Sequence, residues 1–128
     1  MKPSILVVDD HELNLKLVRE ILTARGYEVM AAARGEEALK LARERRPALI
    51  LLDMQLPDID GLEVLKRLRS LPETRDLLVV ALTAQVMSGD QARFLAAGCN
   101  GYIPKPISLR TFAAQVEQYL ARAVEDER

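Results

Sequence analysis

The chain has 128 residues, of which 49% are apolar and 29% charged; that is enough for one domain with a sizeable core, and the balance is globular rather than disordered. A net charge of −1 argues against a general nucleic-acid or membrane-surface binder, since both need a basic excess. The one cysteine, Cys99, excludes an internal disulfide and suits a reducing, intracellular setting. The opening "MKPSILVVDD" is neither a signal peptide nor a membrane span, and no internal repeat or low-complexity stretch occurs.

In chain order, residues 5–8 are a continuous β-branched and aliphatic run, which suits a strand buried on both faces. Leu13, Leu17, Val18, Ile21 and Leu22 fall on one face of a helix that Gly26 ends. Residues 27–32 are a weaker second strand. "GEEALKLARERR", residues 35–46, is a second helix with acids early and bases late, stopped by Pro47. A third aliphatic strand, 48–52, runs into Asp53 and is followed by a loop, "QLPDIDG". Leu62, Leu65 and Leu68 mark a third helix. A fourth strand, 78–82, ends at Thr83, and a less amphipathic helix at 91–97 is closed by Gly98. A short fifth strand, 101–103, ends at "PKP", and Leu109, Phe112, Val116, Tyr119 and Leu120 are spaced for a final helix.

Five strands alternating with five amphipathic helices predict an α/β fold with a parallel sheet and helices on both faces. For a unit of this size the flavodoxin-like order 2-1-3-4-5 is expected. In such a sheet the carboxyl ends of all strands share one edge, and ligands bind there between strands 1 and 3. Asp9, Asp10, Asp53, Thr83 and Lys105 all fall at or just past strand ends. The topology therefore gathers three carboxylates, a hydroxyl and an ammonium on one rim, outside the buried core. Clustered carboxylates raise each other's pKa unless a cation is present. Hard oxygen donors on an open site favour Mg²⁺, or Mn²⁺. A lysine and a hydroxyl aimed at the same place suit a phosphoryl group, and a carboxylate can itself accept one. Spacing leaves open which aspartate attacks.

The segments "VVDD", "LLDMQLPDIDG", "ALTA" and "GYIPKPI" resemble the signature segments of receiver domains of bacterial two-component response regulators, of the single-domain, chemotaxis-regulator-like type. The resemblance spans residues 4–122. It implies that Asp53 takes a phosphoryl group from a histidine kinase or histidine phosphotransfer protein. It further implies that Asp10, Asp9 (partly through water), Asp53 and the Gln55 backbone carbonyl hold Mg²⁺. Thr83 and Lys105 then bind the phosphate, Lys105–Pro106 is cis, and Tyr102 is a switch that follows Thr83. The readout falls on the fourth and fifth strands and helices, presented to a downstream protein. Gln55 and Gln85, two past the acceptor and two past the threonine, tune the phosphate's lifetime. The expected organisation is a receiver domain over 1–122 with a short charged tail at 123–128, a stand-alone cytoplasmic regulator with no direct nucleic-acid contact and no membrane insertion.

Plainer roles compete with these. Asp9 and Asp10 could be strand-end charges, with Asp10 capping the first helix. Asp58 and Asp60 read as turn residues and Cys99 as structural; His11, beside the acidic pair, reads as an exposed loop or helix-start residue, with contact to the metal site as the other reading. Arg43, Arg45 and Arg46 read as helix-end charges, and Gly101 reflects strand-edge geometry. Two other functions share parts of the pattern. A Mg²⁺-dependent phosphatase with an aspartate nucleophile usually carries a second aspartate two residues on, where this chain has Gln55. A flavodoxin-type electron carrier needs a Ser/Thr/Gly-rich loop after strand 1, where this chain has the acidic "DDHELN".

Overall fold

A computed structural model describes residues 3–84 and 88–126. Five strands and five helices alternate: β1 (Ser4–Val8), α1 (Glu12–Ala24), β2 (Glu28–Ala32), α2 (Gly35–Arg45), β3 (Leu49–Asp53), α3 (Gly61–Ser70), β4 (Val79–Thr83), α4 (Ser88–Ala96), β5 (Gly101–Pro104) and α5 (Phe112–Asp126). The strands form one parallel sheet in the order β2-β1-β3-β4-β5, as the alternation of patterns predicts.

The two-residue period of a strand divides the aliphatic runs between the two faces. Leu6, Val8, Ile50, Leu52, Val79 and Ala81 pack with α2, α3 and α4 through Ala38, Leu39, Ala42, Val64, Leu65, Leu68 and Phe94. Ile5, Val7, Leu49, Leu51, Val80, Leu82 and Ile103 pack on the other face, against Val18 and Leu22 of α1 and Phe112 and Val116 of α5. Every residue of β3 and β4 is buried, so these strands carry no polar alternation. Each fully buried Leu, Ile or Val contributes about 1.5–3 kcal/mol, which anchors the middle of the sheet and, with it, the strand ends. β2, at an edge, is only partly buried, which explains its weaker sequence signal.

Two expected core residues are outside it. Leu13 is 83% exposed, because α1 turns its first apolar residue to solvent and its buried stripe is carried by Val18 and Leu22. Leu109 is 65% exposed, because it precedes α5, which starts at Phe112. At the other end α5 runs through Asp126, past the expected boundary at 122, with no glycine or proline to stop it. α4 starts at Ser88, three residues before the start expected at 91.

Candidate functional site

The register of the sheet builds the site. Val8 pairs with Leu52, so the next residues, Asp9 and Asp53, emerge side by side from adjacent strands. Asp53 in turn pairs with Leu82, and Thr83 with Pro104. Lys105 then follows directly, its amide donating to the Thr83 carbonyl at 2.8 Å. The Lys105–Pro106 peptide is cis, as expected. The loop after β3 folds back over the strand end because Gly61 lies against Met54: a Cβ on Gly61 would come within 2.5 Å of Met54 Cα.

One correction concerns depth. The aspartates were expected at the rim and outside the core, but Asp9 is 1% and Asp53 3% exposed. Of the three aspartates, only the Asp10 side chain, at 34%, is well exposed. Two carboxylates so deep need donors. Among the described residues Asp9 has three donors: the His11 amide (2.9 Å) on Oδ1, and Asn14 Nδ2 (3.3 Å) and Lys105 Nζ (3.1 Å) on Oδ2; His11 Nδ1 also lies 3.1 Å from Oδ1. Asp53 has two among them: the Gln55 amide on Oδ1 at 3.0 Å and Lys105 Nζ on Oδ2 at 3.1 Å.

The protonation preferences follow that inequality. Burial pushes both carboxyls up. At Asp9 the His11 amide, the Lys105 ammonium and the His11 ring outweigh burial, and its pKa lies below the ordinary value. At Asp53 the Gln55 amide and Lys105 do not outweigh it, the Asp9 charge adds to the rise, and its pKa lies above. Burial pulls the Lys105 ammonium down, but Asp53 and Asp9 more than compensate, so it stays protonated.

A cavity of about 290 Å³ opens over this cluster, lined by His11, Asn14, Asp53, Gln55, Lys105 and Pro106 among others. A larger groove of about 780 Å³ between α2 and α3 lies away from the strand ends and from this chemistry. Ligand atoms of Asp9, Asp10, His11 and Asp53 all lie within 4.8 Å of one another. Three carboxylates against one ammonium leave an excess of negative charge on hard oxygen donors, which fits a divalent cation.

Thr83 is buried at the end of β4, and Tyr102 is half-buried on β5, with the Tyr119 hydroxyl donating to its carbonyl at 3.3 Å. Gln55 is exposed at the cavity mouth; Gln85 lies outside the described residues. His11 faces the acidic pair rather than standing apart from it, with Nδ1 also 3.2 Å from Asp10 Oδ1. Asp10 does not cap α1; the residue at that position is His11, whose side chain makes no capping bond. Cys99 is buried, and burial pushes its thiol up to about 11, which is the structural role expected. Gly101 has a different cause from the one expected: a Cβ there would strike the Tyr119 ring.

Four polar residues were not singled out for the parts they play. Asn14 reaches Asp9 from the first turn of α1. Asp58, read as a turn residue, accepts the Gly35 and Glu36 amides at 2.8 and 3.0 Å, and so caps α2 from the loop that follows the site. Asp60 caps α3 through the Leu62 amide at 2.9 Å. Arg69 joins the end of α3 to the segments around β4 and β5. The only signal for Asn14 was its place one turn into α1, and for Asp58 the acid-rich loop; neither names a partner.

Comparison with known proteins agrees with this geometry. The response regulator receiver domain family matches residues 5–117. The chain belongs to the response regulator receiver family. Receiver domains are the phosphorylation-activated signalling switches of two-component systems; they bind Mg²⁺ at the acidic site and act with histidine kinases and downstream effectors. The chain is 48% identical over 123 residues to the polar-differentiation response regulator DivK of Brucella anthropi, a match covering 96% of this chain and the whole of that one. The chemotaxis response regulator CheY4 of Vibrio cholerae superposes with a TM-score of 0.88 at 28% identity, over 93% of this chain and 99% of that one. The receiver domain of a sensor histidine kinase of Pseudomonas aeruginosa PAO1, with a magnesium ion coordinated in its active-site cleft, gives 0.85 at 30% identity, over 94% and 99%. Neither the phosphatase nor the electron-carrier alternative gains support. No helix among the described residues is long and apolar enough to cross a membrane.

Proposed function

We propose that Asp53 is the phosphoacceptor of this receiver, taking its phosphoryl group from a histidine kinase or histidine phosphotransfer protein. The carrying observation is the unequal sharing of donors among the described residues: three on Asp9, with the His11 ring beside them, and two on Asp53. Asp53 keeps more lone-pair capacity and is the more basic carboxylate, so it is the better nucleophile of the buried pair. A carboxylate oxygen attacks phosphorus, the P–N bond of the donor's phosphohistidine breaks, and the electron pair leaves with the imidazole nitrogen, giving an acyl phosphate.

Asp9, Asp10 and the Gln55 carbonyl, with Asp53, would hold Mg²⁺, or Mn²⁺. When bound there, the cation would supply charge neutralisation for the phosphoryl group. Lys105, between the two buried carboxylates, is placed to pair with the phosphate. The Thr83 hydroxyl binds an oxygen that exists only in the modified state. That differential contact is what shifts a two-state equilibrium. Tyr102, half-buried next to Thr83's strand, carries the shift to the surface read by a downstream protein. Gln55 and Gln85 tune hydrolysis. The receiver unit is taken as 1–122 and its setting as the cytoplasm, acting by protein contact.

Incubation with Mg²⁺ and a small acyl-phosphate donor is expected to add one phosphate by mass, lost on mild base treatment. The addition should be absent without the metal and in Asp53→Asn. Undiminished labelling of that variant would move the acceptor to another residue.

A further inference from the structure

The acidic cluster is not built of oxygen donors alone. We propose that His11 Nδ1 is a ligand of the cation in this chain, giving a mixed nitrogen–oxygen site that takes first-row transition dications, such as Mn²⁺ and Co²⁺, in preference to Mg²⁺. This rests on the reading of the cluster as a divalent-cation site and narrows which cations it selects.

The geometry divides Asp9 into two sides. Its Oδ2 faces Asn14 and the Lys105 ammonium, and its Oδ1 faces His11. On the Oδ1 side, His11 Nδ1 stands 3.1 Å from Asp9 Oδ1 and 3.2 Å from Asp10 Oδ1. Adjacent ligand atoms in an octahedral site with bonds of about 2.1 Å are about 3 Å apart. The two distances are short enough for Nδ1 and both carboxylate oxygens to share one cation, and the ligand atoms of the cluster lie within 4.8 Å of one another. The backbone holds this arrangement, since the His11 amide is itself bound to Asp9 Oδ1 at 2.9 Å. The ring makes no capping bond to α1, and it is 66% exposed, so the core does not fix it.

The donor type then sets the selectivity. Mg²⁺ prefers oxygen and water and gains little from an imidazole. Affinity for a nitrogen donor rises from Mn²⁺ to Co²⁺ along the first row. A nitrogen corner thus leaves Mg²⁺ binding almost unchanged and strengthens binding of the transition dications.

The test is calorimetric titration of the full chain with Mg²⁺, Mn²⁺ and Co²⁺ separately, for the parent and for His11→Ala, with pulsed EPR of the Mn²⁺ form. Co²⁺ affinity should fall on the order of tenfold or more in the variant, comparable to what losing even an outer-shell partner costs. Mg²⁺ affinity should change by less than about twofold. The parent's Mn²⁺ spectrum should show nitrogen coupling that the variant lacks. Equal losses for all three cations, tighter binding in His11→Ala (an imidazole that only repels or competes), or no nitrogen coupling would overturn the proposal while leaving the cation site intact. Failure of the parent to bind any of the three would remove the site itself, and this proposal with it.

Discussion

Lys105 Nζ lies 3.1 Å from Asp53 Oδ2, and the same ammonium is 3.1 Å from Asp9 Oδ2. One positive charge thus serves two buried negative ones. Asp53, with fewer donors, is the member left short, and its raised pKa says that the folded state disfavours its charged form. For a carboxyl raised on folding, the charge costs stability above its folded pKa, and the cost is relieved as pH falls through that value. In metal-free buffer near neutrality, Asp53→Asn, which leaves Lys105 paired with Asp9, is therefore expected to raise the melting temperature. Thermal unfolding in the presence of a chelator checks this; a lower melting temperature would contradict the shared-ammonium account.

Asp58 carries the opposite sign. Burial pushes its carboxyl up slightly, but the amides of Gly35 and Glu36, with those of Ile59 and Asp58 itself, hold it below the usual range. Its stabilising contribution is therefore complete above the unfolded aspartate value of about 3.9 and is lost as pH falls through the lower folded one. Asp58→Ala should cost about 1 kcal/mol near pH 7, the usual scale for a lost helix cap. The gap between parent and variant should close in acid. Urea midpoints measured from pH 7 downward decide the matter, and a gap that does not narrow with acid would rule out the capping account.

Arg69 spreads its guanidinium over four acceptors. Nε and Nη2 bind the Gly98 carbonyl at 3.0 and 2.8 Å, Nη1 binds those of Leu77 and Arg75 at 2.6 and 2.9 Å, and Nη2 also reaches Asn100 Oδ1 at 2.9 Å. A lysine keeps the charge but lacks the planar fork. Arg69→Lys should destabilise by roughly 1–3 kcal/mol through carbonyls left without donors. Chemical denaturation should show a lower midpoint with an unchanged slope.

Gly101 sits under the Tyr119 ring, where a methyl group has no room. Gly101→Ala is expected to cost about 1–3 kcal/mol through overpacking. In a Tyr119→Ala background the same change should cost much less, because the obstructing ring is gone. Strict additivity in that double-mutant cycle would show that the steric account is wrong.

The parts of this molecule legible along the chain were those carried by local pattern. Aliphatic runs marked strands because every residue of β3 and β4 is buried, and the polar residues that interrupt or follow such runs marked the strand ends. Asp9, Asp53, Thr83 and Lys105 were found in this way. Asn14, Asp58 and Arg69 were not assigned their partners, because their partners lie 5 to 31 residues away and no periodicity encodes a side chain that bonds across elements. Leu13 and Leu109 were misplaced for a related reason: helical spacing says which residues share a face, not where the helix begins or which way its first turn points.

By itself, then, the order of residues determined the alternation of strands and helices, the family, and the set of polar side chains at the strand ends. Tertiary structure decided how deep those side chains sit and how their donors are divided. The register that brings Val8 opposite Leu52 places Asp9 beside Asp53, and both are buried there. Once water is excluded, each carboxylate depends on the donors that the fold brings within reach. Among the described residues, three donors and the His11 ring around Asp9 and two donors around Asp53 distinguish two aspartates that are chemically identical as letters in a chain.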